Sequence, residues 1–126
     1  AYPKLVKVKG KIVILNSVAS RIYSAFSGVE YTMSKSALSG MVKQLSMEFA
    51  KDGVIINSIF PSMTATPMLI ENVEQEKLDN IEKEIPLKRI AKPIEVAQAI
   101  EFLLSENNSY MTGCGLDLNG GQFLNG

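Results

Sequence analysis

The chain has 126 residues, is 46% hydrophobic and carries no formal net charge, with 13 basic against 13 acidic side chains. That is the size and balance of one globular domain with its own core, and it gives no electrostatic reason to expect nucleic acid or an anionic membrane surface as partner. The absence of histidine and the single cysteine, Cys114, remove Ser-His-Asp and Cys-His mechanisms, most zinc sites and any internal disulfide, so no metal is expected. Cys114 is expected to be a small buried residue. No apolar run approaches a membrane span and no signal-peptide layout opens the chain, so an intracellular, cytoplasmic location is the expectation. The opening at Ala1 reads as a fragment of a longer protein.

In chain order, residues 1–9 (AYPKLVKVK) read as the basic tail of a helix, stopped by Gly10. Residues 11–16 follow as a strand whose apolar run lacks alternation, as in a parallel strand covered on both faces. A serine-rich loop over 17–27 leads to Ser27-Gly28-Val29-Glu30, which has the form of a capping box. The helix it starts is expected to bury an i, i+4 stripe of Ala37, Met41, Leu45 and Phe49 and to stop near Asp52-Gly53. A second strand over 54–60 is closed by Pro61, giving a strand, helix, strand unit with a right-handed crossover.

Residues 66–84 form a charged segment with a thin apolar stripe, expected to be a weakly packed helix or mobile flap. Pro93 suits the first turn of a helix carrying Val96, Ile100, Leu103 and Leu104 on one side. A short third strand over 115–119 ends in Gly120-Gly121, which serve a tight turn. The fold class is therefore α/β, with three parallel strands and about three helices.

Within this frame Tyr31 and Lys35 lie four residues apart in the first turns of the long helix and project from one face. A phenol exchanges protons poorly near neutrality, and a fixed cation beside it favours the phenolate. Ser17 sits at the end of the first strand, where it delivers a hydroxyl to the rim of the sheet. In open α/β sheets ligands bind beyond the carboxyl ends of the strands, so Ser17, Tyr31 and the loop after Pro61 should face one crevice.

The strand-serine, Tyr-x-x-x-Lys helix, strand-proline and terminal Gly-Gly strand occur in one order, in GKIVILNS, YTMSKSALSGMVKQLSMEFAKDGVIINSIFP, KPIEVAQAIEFLLS and YMTGCGLDLNGG. Together they resemble the short-chain dehydrogenase/reductase family, specifically the C-terminal half of its Rossmann-type, doubly wound sheet, over nearly the whole chain. The resemblance implies hydride transfer between NAD or NADP and a small-molecule alcohol or carbonyl. Tyr31 would be the general acid/base, Lys35 would assist it and bond the nicotinamide ribose, and Ser17 would hold the substrate oxygen. Pro61, Ser62, Thr64 and Thr66 would line the cofactor, with Thr64 near the carboxamide and Thr66 near the pyrophosphate. Residues 67–85 would be the substrate lid, and the long helix implies a homodimer or homotetramer. A non-catalytic dimerisation module or a pseudoenzyme of the same fold is the alternative.

The sequence departs from the family pattern in four places. The glycine-rich phosphate loop and the Asn-Asn-Ala-Gly stretch of the family's N-terminal half do not occur, so the isolated chain is expected to be inactive. Pro61-Ser62 stands where the family commonly has Pro-Gly, which puts a Cβ at the cofactor's approach. The spacing from Ser17 to Tyr31 is slightly long, which leaves Ser20 as a rival hydroxyl. NAD and NADP are not distinguished.

Overall fold

A computed structural model describes residues 1–125 as a parallel three-stranded sheet in the order β1-β2-β3, formed by β1 (Lys11–Leu15), β2 (Ile55–Pro61) and β3 (Gly115–Leu118). Register pairs Leu15 with Ile59, and Pro61 with Leu118. The three strands therefore end at one rim of the sheet. The β-branched run of β2 is buried from Ile56 through Pro61, as suits a central strand covered on both faces. Among the described residues β1 and β3 are each paired on one side only.

Among the described residues there are five α-helices rather than about three: α1 (Tyr2–Val8), α2 (Val29–Ala50), α3 (Pro67–Asn72), α4 (Gln75–Glu84) and α5 (Pro93–Leu104), with a 3-10 turn over Val18–Ser20. The expected helical tail at the N-terminus is α1, but its left-handed cap is Lys9, at φ 48°, and not Gly10. A Cβ at Gly10 would stand 2.7 Å from Leu5 Cδ2, the end of a side chain that must turn aside to admit it.

The expected capping box does not form. Gly28 caps α2, without a side-chain hydrogen bond, and the Ser27 hydroxyl instead accepts from Ser24 Oγ at 3.0 Å. The stripe expected to be buried on α2 is also rotated. Val42 and Ser46 are its buried residues, whereas of the expected four Ala37 and Met41 are exposed and Leu45 and Phe49 half-buried. Packing of α2 against β2 and the 3-10 turn turns the face of Leu38, Val42, Leu45 and Ser46 inward, and Met33, Met41 and Met47 stand exposed.

One core cluster joins Ile59 of β2 to Val96 and Leu103 of α5, with Val13, Ile100 and Leu116 packed around it. Leu104 was expected on the same side but is 44% exposed. A second cluster overturns the weakly packed reading of residues 66–84. Leu78, Ile81 and Ile85 are buried at 5% exposure or less, against Met63, Leu69, Val73 and Ile90. Cys114 is exposed, not buried. Its backbone is held between strands, its N–H donating to Asn57 Oδ1 at 3.0 Å and its carbonyl accepting from Ser58 N at 2.9 Å, while the thiol points outward to the Thr112 carbonyl. No helix of the described residues is long and apolar enough to cross a membrane.

Candidate active site

The strand ends at the rim open on a cleft of about 740 Å³ lined by Ser17, Tyr31, Lys35, Pro61, Ser62, Thr64 and Thr66. All seven residues singled out from the sequence thus meet in one depression. Ser20 does not line it. Its hydroxyl turns back to donate to the Ser17 carbonyl at 2.7 Å, so Ser17 is the serine that the fold presents.

Each side chain is placed by a local rule. Ser17 caps the 3-10 turn, its Oγ accepting from Ala19 N at 3.2 Å, and its own N–H donates to Asn16 Oδ1 at 2.9 Å. Asn16 is 3% exposed and donates through Nδ2 to Ser39 Oγ at 3.0 Å, tying the end of β1 to α2. Tyr31 lies in the first turn of α2 and is 45% exposed, with its ring facing the cleft. Lys35, one turn on, brings Nζ to 5.6 Å from the Tyr31 ring centroid and donates to the Leu15 carbonyl at 2.9 Å. The four-residue spacing therefore does set cation and phenol side by side.

The opposite wall is the loop after β2. Ser62 N donates to the Leu118 carbonyl at 3.0 Å, and Thr64 bridges to Ala91, with Ala65 N donating to the Ala91 carbonyl at 2.8 Å. Thr64 Oγ1 donates to the Ser62 carbonyl at 3.2 Å, and Thr66 caps α3 by accepting from Leu69 N. The Ser62 hydroxyl donates to Gln122 Oε1, which pins the side chain that replaces the expected glycine against the C-terminal segment.

Two lining residues were missed from the sequence: Asn16 and Gln122. Asn16 was legible in principle, as an amide at a strand end directly before the candidate serine. Gln122 acts through Ser62 on a distant element, which no local spacing encodes. The cleft also carries apolar walls from Ile22, Phe26, Met63, Met68 and Leu69. Lys77 of α4 places its Nζ 5.6 Å from the Phe26 ring centroid. Among the described residues no group of three or more acidic, histidine or cysteine residues could hold a metal.

Comparison with known proteins gives a consistent picture. Residues 1–122 match a family model described as enoyl-(acyl carrier protein) reductase. The chain is 36% identical over 115 residues to an acetoacetyl-CoA reductase of Acinetobacter sp. (strain RA3849), covering 91% of this chain and 46% of that protein. A 3-oxoacyl-[acyl-carrier protein] reductase from Brucella melitensis superposes with a TM-score of 0.91 at 33% identity, over 98% of this chain and 46% of that one. A second Brucella melitensis reductase of that kind, solved with bound NAD, gives 0.85 at 32% identity over 98% and 45%. ElxO with NADP bound gives 0.87 at 29% identity over 95% and 49%. The chain spans about half the length of the curated relatives it matches. With the family model matched along nearly its whole length and solved relatives superposing closely on it, the chain belongs to the short-chain dehydrogenase/reductase family.

Proposed function

We propose that this chain is the substrate-activating, C-terminal half of an NAD(P)-dependent oxidoreductase that interconverts an alcohol and a carbonyl. The observation that carries the reading is the convergence of Ser17, Tyr31 and Lys35 on one cleft, with the ammonium 5.6 Å from the phenol ring. In carbonyl reduction Ser17 donates a hydrogen bond to the substrate oxygen, Tyr31 delivers the proton to it, and Lys35 stabilises the tyrosinate left behind. In alcohol oxidation the same groups act in reverse.

The cleft fits the nicotinamide end of a dinucleotide. Lys35 and Tyr31 supply donors for a ribose on one wall, and the loop from Pro61 to Thr66 supplies hydroxyl and backbone groups on the other. Gly120 and Gly121 run into residues 122–125 without a helix, so among the described residues no helix N-terminus after β3 is offered to a diphosphate. The bound cofactor supplies or accepts the hydride. The adenosine end then needs residues beyond this chain, and the chain alone should not turn over.

The relatives' substrates and the apolar walls favour an acyl thioester carrying a 3-oxo group. The test is reduction of acetoacetyl-CoA by the whole protein with NADH and with NADPH. Tyr31→Phe, which removes only the proton donor, should lower kcat by about 10²- to 10⁴-fold. An unchanged kcat would overturn the reading.

A second reading, an assembly module, is favoured by α2, where Val42 and Ser46 are the buried residues and Met33, Met41 and Met47 stand exposed. It predicts a homo-oligomer whose mass in solution survives Tyr31→Phe and falls on Met41→Glu.

A further inference from the structure

We infer that Arg21 is a positioning residue for Ser17, locking the turn that presents the serine to the far strand of the sheet. This rests on the role proposed for Ser17. Arg21 follows the 3-10 turn directly and closes it, its N–H donating to the Val18 carbonyl at 2.8 Å. Its guanidinium leaves the turn and lies 3.8 Å from the centroid of the Phe60 ring on β2 and 5.6 Å from that of Phe123. Its Nε stands 3.5 Å from Asp117 Oδ1 on β3, and the two side chains are only 26% and 18% exposed.

Both atoms are shielded from solvent, and neither has a hydrogen-bond partner among the described residues. Each charge therefore depends on the other for compensation. A planar guanidinium can stack on an aromatic face and pair with a carboxylate at once, which an ammonium cannot. Ser17 is thus fixed from both ends: Asn16 holds its N–H at the end of β1, and Arg21 anchors the end of its turn to β2 and β3. Without the second anchor the turn can swing, and displacement of a reacting group by about 1 Å can cost 10²-fold in rate.

The test is a double-mutant cycle in the whole protein, with acetoacetyl-CoA and a nicotinamide cofactor, on Ser17→Ala, Arg21→Met and the pair. Arg21→Met should lower kcat by about 10- to 100-fold with the cofactor KM unchanged. In the Ser17→Ala background it should have no further effect, because the hydroxyl it positions is gone. Losses that multiply would show that Arg21 only supports the fold and would overturn the inference, as would a wild-type kcat for Arg21→Met beside an impaired Ser17→Ala. If Ser17→Ala itself runs at the wild-type rate, the serine's role fails first and the inference falls with it. Should Arg21→Met not accumulate folded, Asp117→Asn carries the same cycle, since it removes the compensating charge at constant volume.

Discussion

Gly115 opens β3 directly beneath Arg21, and replacing it with alanine isolates a single steric term. Its φ lies outside the left-handed region, so the backbone accepts a Cβ without strain. The methyl group, however, would fall well inside van der Waals contact with Arg21 Nη2 and Phe60 Cε2, and at 3.2 Å from Phe60 Cδ2. The guanidinium is the end of a flexible chain and can yield, whereas Phe60 is 2% exposed and must move within a packed interior. Overpacking of this kind costs about 1–3 kcal/mol. The lost freedom of the unfolded chain returns about 0.4–1 kcal/mol, leaving a net loss between near zero and about 2.6 kcal/mol. Urea unfolding of the whole protein reads this as a lower midpoint at unchanged slope. In a Phe60→Leu background, which removes the ring edge, the Gly115→Ala cost should vanish and give way to a gain of up to about 1 kcal/mol. If Gly115→Ala has the same effect in both backgrounds, the close approach of β3 to the Phe60 ring is not what requires glycine at this position.

Two further outcomes follow from the core and the surface. Ile59→Ala, at a position with 0% exposure between Val96 and Leu103, should cost about 2–5 kcal/mol in the same urea assay, and a loss below about 1 kcal/mol would contradict its place at the centre of the cluster. Glu95 receives both arms of Arg89 at 2.6 and 2.8 Å and the Lys92 N–H at 2.7 Å. The Arg89 hydrogen bonds first, and then the Lys92 N–H, hold its carboxyl down to about 2 from an ordinary value of 4.5. A carboxylate depressed on folding contributes stability above its unfolded value and loses it as the pH falls through its folded one. The advantage of the wild type over Glu95→Gln should therefore be whole at pH 7 and shrink between about pH 4.5 and 2, and a gap independent of pH across that window would count against the pair.

The parallel sheet, its βαβ unit and the seven cleft residues were legible because their signals are local: apolar runs, a four-residue spacing on one helix, and a proline at a strand end. What was not legible depends on partners remote in sequence. Arg21 finds Asp117 and Phe60 only once β2 and β3 lie side by side. Ser62 finds Gln122 for the same reason. Ala37, Met41, Leu45 and Phe49 of α2 have helical spacing, but spacing does not say which face turns inward, and the packing on β2 chose Val42 and Ser46. The break between α3 and α4 occurs at Val73, in extended conformation at φ −121°, with no glycine or proline to announce it. The Ser27-x-x-Glu30 pattern fits the capping box, yet the Ser27 hydroxyl is engaged by Ser24.

Lys35 is anchored to a main-chain carbonyl, that of Leu15. Asn16 sends its N–H toward Ile59 on β2, so in the alternating pattern of a strand the Leu15 carbonyl points away from β2, off the open edge. Any residue placed at position 15 presents the same oxygen. The ammonium's location is therefore insulated from the identity of its neighbour and depends on β1 holding its extended course to its last residue: drift at position 15 leaves the ammonium in place, whereas fraying of the strand's final step would set the lysine adrift.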